Sequence, residues 1–162
     1  MRKLPFGAFA IGIGVIALLV AGVVYMQRTS RIGVAGEVLK VRTAELSDGS
    51  SIAVADFHMR NPGKFFVQVR TVTLVLEDKA GNRVEGRTVA ELDAQRLFEA
   101  MPVLGQKYSK TLTERERIHA NASEDRMVAA RFEMPEAKLQ DRKRFVVRIE
   151  DVDGPVSELS EH

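Results

Sequence analysis

Apolar and polar residues alternate along most of this chain with the period of two that marks β-strands, and two stretches break that rhythm. Ala53, Ala55, Phe57 and Met59 alternate with Val54, Asp56, His58 and Arg60, which reads as a half-buried strand. Asn61-Pro62-Gly63 stops it, because Pro cannot continue a ladder and Gly permits positive φ. FFVQVRTVTLVLED at 65–78 is rich in Val, Phe, Thr and Leu. It is long for one strand, so a bend or bulge is expected near Arg70-Thr71. Lys79 to Asn82 reads as a hairpin loop leading into a strand at 83–87. KTLTERERIHA at 110–120 alternates charges, as an edge strand does to repel unwanted pairing. Further on, Val128, Ala130, Phe132 and Met134 share one side of a strand, as do Phe145, Val147 and Ile149. Residues 36–46 alternate only in part after Val38-Leu39, and 155–162 read as a loose tail.

The first break is helical. Thr88 and Glu91 have the spacing of a capping box, and Ala90, Ala94, Leu97, Phe98 and Met101 recur with helical period until Pro102 and Gly105 end it. This stripe is expected to pack over an open end or edge of a sheet. Where the helix sits at a rim, Leu97, Phe98 and Met101 would form a partner-binding patch.

The second break is the uncharged run from Pro5 to Met26. As a helix its 22 residues span about 33 Å, close to a bilayer core of roughly 30 Å. A cleaved signal peptide remains open, since Ala21-Gly22 could serve as a cleavage site, but more apolar residues follow it. The expectation is a retained single-pass signal-anchor, with Tyr25 at the interface. Ala10, Gly14, Ala17 and Ala21 fall on one face, which suits helix packing and homo-oligomerisation through the anchor. The expected organisation is a cytoplasmic tail (1–4), a transmembrane anchor (5–26), a linker (27–35), a β-sandwich domain (36–154) and a flexible tail (155–162). The domain would then be extracytoplasmic, and periplasmic in a Gram-negative cell.

Composition narrows the chemistry. No cysteine is present, which removes disulfides and thiolate chemistry. The excess of basic residues is Arg2 and Lys3; past residue 26 there are 22 Lys and Arg against 22 Asp and Glu. Opposite charges interleave, so no basic face for nucleic acid is expected.

Candidate sites are few. Asp56, His58 and Arg60 share one strand face and could bind a metal or small ligand, but zinc needs three or four ligands and only two other histidines exist. Glu150, Asp151, Asp153 and Gly154 form only a fragment of a calcium loop. Tyr108-Ser109-Lys110 lacks the partners of a serine nucleophile. No catalytic, cofactor or metal residues are assigned.

The stretch ADFHMRNPGKFFVQVRTVTLVLEDKAGNRV, followed by RFEMPEAKL and RFVVRIEDVDG, resembles immunoglobulin-like bacterial envelope domains of the FxLYD and WHy types. The resemblance covers 36–154, with Leu76-Glu77-Asp78 where Leu-Tyr-Asp would stand. It implies a non-enzymatic binding or scaffold module that docks to an envelope protein. The fold expected is therefore mainly β: one transmembrane helix, then an immunoglobulin-like sandwich of about seven strands with one short helix. A small-ligand or metal-binding domain, and a stress-protective WHy-like role, are the alternative readings.

Overall fold

A computed structural model describes residues 12–23 and 33–161. The chain divides into two units at 32/33. In the first, residues 12–23 form helix α1. The second holds β1 (Ala35–Glu45), β2 (Ser51–Arg60), β3 (Val67–Glu77), β4 (Arg83–Glu85), β5 (Arg87–Thr88), α2 (Glu91–Ala100), a 3-10 turn (Pro102–Leu104), β6 (Lys110–Thr111), β7 (Arg117–Ile118), β8 (Ser123–Phe132), α3 (Glu136–Gln140), β9 (Arg144–Asp151) and β10 (Val156–Ser160).

The structure corrects the expected fold class at its N-terminus. The described residues of helix α1 number twelve, about 18 Å, where a crossing needs about 20 residues. Among the described residues no helix is long and apolar enough to cross a membrane, which removes the membrane, single-pass and signal-anchor reading. Residues 5–11 and 24–26, with Ala10, lie outside the described residues; Gly14, Ala17 and Ala21 are exposed on α1.

The rest is mainly β, with ten strands in place of about seven and more helix than the single one expected. Two five-stranded sheets form. The first runs β1-β2-β8-β5, with β6 also pairing β8; the second runs β10-β9-β3-β4, with β7 also pairing β3. One core lies between them, built from the odd-numbered residues Ala53 to Met59 of β2, Val128, Ala130 and Phe132 of β8, and the inward residues of β3 and β9. Phe132 and Phe145 meet edge to face across it at 5.8 Å, worth about 0.5–1.5 kcal/mol beyond their burial.

Two bulges set which side chains reach this core. One falls between Val69 and Thr71, where the length of the Val-rich strand predicts it, and keeps both Val69 and Val72 inward. The other falls between Val38 and Lys40 and explains the broken alternation of β1. Val38 and Val41 both serve the core, while Lys40 and Arg42 stand opposite Asp56 and Val54.

Four local expectations change. The strand expected at 83–87 splits at Gly86, where the chain passes from the second sheet (β4) to the first (β5). A Cβ at Gly86 would lie 2.6 Å from the Phe132 ring and 2.8 Å from the Ala130 methyl, so the crossing needs glycine. The charged stretch 110–120 likewise crosses between sheets as β6 and β7. The tail expected at 155–162 holds β10, an edge strand paired with β9. The capping box does not form: α2 starts at Glu91 without a side-chain cap, and the Thr88 hydroxyl donates to Val72 O instead.

Candidate functional site

The outer face of the first sheet changes character along its length. At one end Ile52, Val54, Ala44, Met127 and Ala129 make a second apolar layer, covered by Ala94 of α2 and Leu104 of the 3-10 turn. Leu97, Phe98 and Met101, the expected patch, are half-buried against this layer, so most of their surface serves packing. Next along β2 the alternation turns polar at Asp56.

Asp56 does not face solvent. Its Oδ2 accepts a 2.7 Å hydrogen bond from Arg42 Nη2, and the two side chains are only 12% and 9% exposed. Arg42 also donates through Nη1 to Leu104 O (2.6 Å) and Gln106 O (2.7 Å). Its guanidinium stacks within 5.0 Å of the Phe98 ring centroid and 5.3 Å of Tyr108. Arg42 therefore ties β1, β2, α2 and the following loop together. Arg42 carries no signal of this role in the sequence, because without the bulge its position reads as an inward one.

Beside this pair lies a recess of about 240 Å³, walled by Leu39, Phe57 and Tyr108, with Asp56, Ser109 and Asp125 also lining it. Among the described residues Asp56 Oδ1, Arg42 Nε and Ser109 Oγ are buried without a hydrogen-bond partner. Tyr108 stands at the mouth, 68% exposed. A larger recess of about 420 Å³ opens by Thr88, Glu91 and Thr111.

His58, two residues on, has different partners. Its Nδ1 lies 2.6 Å from Asp125 Oδ1 and its Nε2 lies 2.9 Å from Ser123 Oγ, a cross-strand chain that follows from the pairing of His58 with Asp125. The order Ser-His-Asp is that of a hydrolytic triad. All three residues are at or near the surface, and neither Ser123 nor His58 lines either recess, so nothing desolvates the serine or cradles a substrate beside it. Arg60 is exposed at the strand end. The expected trio is thus divided: Asp56 to a buried pair, His58 to a surface chain, Arg60 to solvent. Among the described residues no group of three His, Asp or Glu side chains converges to hold a metal ion.

A second candidate lies where β2 ends. Asn61 is fully buried. Its Nδ2 donates to Phe65 O (2.8 Å), Ile118 O and His119 O (3.1 Å each), and its Oδ1 accepts from Gly63 N (2.9 Å). This brace holds a short loop that turns Phe65 and Phe66 outward, 75% and 52% exposed. Arg117 covers one face of Phe66 at 5.1 Å. Read as strand residues, the two phenylalanines gave no sign of this; the Asn-Pro-Gly turn before them was the available signal.

The acidic turn at 150–154 is internally occupied: Asp151 Oδ1 accepts from Gln68 N and Asp153 N, and Glu150 pairs with Arg70.

No protein-family model and no curated protein matches the chain. A solved structure, described as the X-ray structure of a Northeast Structural Genomics Consortium target, is similar at 11% identity, over 82% of this chain and 81% of that one, with a TM-score of 0.33.

Proposed function

We propose that the β-domain is a non-enzymatic protein-interaction module that docks a partner, an envelope protein by the family resemblance, through the Phe65-Phe66 loop. The observation that carries this reading is the Asn61 brace. Two adjacent large apolar side chains held in water cost the free protein solubility, and a fixed loop presents them without the ordering cost that a flexible one would incur on binding. Aromatic anchors of this kind carry a large share of the energy of protein interfaces.

The test is photo-crosslinking in cells from a probe placed at Lys64, on the native chain and on the Phe65→Ser/Phe66→Ser double variant. The reading expects a discrete crosslinked partner with the native loop, its loss in the double variant, and an unchanged melting temperature. Equal crosslinking from both chains, or none from the native chain, would overturn it.

The small-ligand alternative keeps one specific observation of its own, the unpartnered oxygens beside the 240 Å³ recess.

A further inference from the structure

We infer that this recess is a binding site for a primary alkylammonium group, the chemistry shared by a free short amine and by the end of a lysine side chain. The inference stands apart from the Phe65-Phe66 loop.

The recess is smaller than the about 300–1,000 Å³ of pockets that hold drug-sized ligands, so its occupant is small. The Leu39 and Tyr108 side chains at its wall suit an apolar stem. Two buried oxygens beside them lack donors, while the nearby Arg42 Nε is a donor without an acceptor. Arg42 takes one oxygen of the Asp56 carboxylate and leaves Oδ1 without a partner, in a residue 8% exposed. Ser109 Oγ is a second buried oxygen without one, and the Asp125 carboxylate is a third acceptor at the same recess. An ammonium carries three N–H donors and no acceptor, which matches this set. A buried acceptor left unpaired costs about 1–3 kcal/mol, and more when charged, so a ligand that supplies the donor recovers that cost.

Charge points the same way. Lys40 and Arg126 also line the recess, but Arg126 is held by Glu116 and Glu124. Counting these glutamates, Asp56 and Asp125 against Arg42, Lys40 and Arg126, the surroundings carry one more carboxylate than cation. One incoming positive charge balances them.

The test uses the full chain, isotope-labelled, titrated with n-butylammonium chloride at pH 7 and followed by amide shifts of Leu39, Asp56 and Ser109. Saturable shifts at these positions are expected, with n-butanol binding about tenfold more weakly because it lacks the charge-assisted bonds. Asp56→Asn risks unfolding by disturbing the Arg42 pair, so Leu39→Trp, which fills the mouth of the recess, is the decisive variant. It should abolish the shifts while leaving the melting temperature unchanged. Nα-acetyl-lysine methylamide separates the two sources: tighter binding than butylammonium assigns the recess to a partner's lysine, weaker binding to a free amine. Butanol binding as well as butylammonium, no saturable shift, or undiminished binding to Leu39→Trp in a folded chain would each overturn the inference. None of these outcomes touches crosslinking at Lys64.

Discussion

The outer faces of the two sheets solve one problem in opposite ways. Each sheet buries its inner face in the shared core and must shield or hydrate the other. On the first sheet, α2 and the 3-10 turn cover an apolar layer and seal a single ion pair, Arg42–Asp56, beneath aromatic rings. Within the described residues of the β unit, neither α2 nor α3 covers the second sheet in this way. Its outer face carries a lattice of opposite charges: Arg83 with Glu158, Arg148 with Glu85, and Glu77 between Lys143 and Arg144. Val75 and Val146 face each other within that lattice and are still buried, which the aliphatic stems of long charged side chains account for. The comparison teaches that an ion pair's worth depends on what covers it. One pair sealed on both sides should outweigh several in which at least one partner meets water, as Lys143 and Arg144 do beside the buried Glu77.

The sharpest way to break the comparison is to unpair the sealed charge. Asp56→Ala leaves the Arg42 guanidinium buried without its carboxylate, and a loss of about 3–5 kcal/mol is expected in urea denaturation. Replacing both partners together, as Arg42→Met with Asp56→Leu, should cost much less, since no charge is stranded. Leu104→Ala removes a fully buried side chain from the helical cover and should cost about 2–5 kcal/mol by the same measurement.

On the second sheet the effects shrink. Hydrogen bonds from Lys143 and Arg144, opposed by burial, hold the Glu77 carboxyl down at about 2, against an ordinary 4.5. A carboxyl lowered by folding stabilises the fold above its ordinary value, and that contribution is lost as pH falls from 4.5 through about 2. Acid titration of stability should therefore show a decline in that window that Glu77→Gln reduces. Arg148→Ala, which removes an exposed partner of Glu85, should change stability by no more than about 0.5 kcal/mol. A loss from Arg148→Ala as large as that from Asp56→Ala would dissolve the contrast between the faces.

Much of the β architecture was legible because inward positions repeat every second residue. Phe57, Phe132, Phe145 and Ile149 could be placed in the core from spacing alone, and the bulge near Arg70 from strand length. What stayed hidden were the places where the chain changes sheet. Gly86 is one residue in an otherwise continuous strand signal, and only the nearby Phe132 ring gives it meaning. Glu91 fits a capping box by spacing, yet its carboxylate turns to Lys107 and the Thr111 N–H, partners no local rule could propose. At the N-terminus the expectation of a crossing helix fails because, among the described residues, no helix is long and apolar enough. At the candidate site, Asp56, His58 and Arg60 were found on one face as spacing required, but the residue that binds Asp56 comes from β1, whose register the sequence conceals.

That register has a bearing on how this sequence can change over generations. The extra residue at Leu39 sets the parity of everything after it in β1. Deleting Leu39 would remove the bulge and leave Val38, Lys40, Val41 and Arg42 in plain alternation, with the same partners on β2 and the guanidinium still on the outer face. Lineages that keep the sealed pair should therefore include some that lack the residue at 39, since the partners on either side of it are already consecutive on β2.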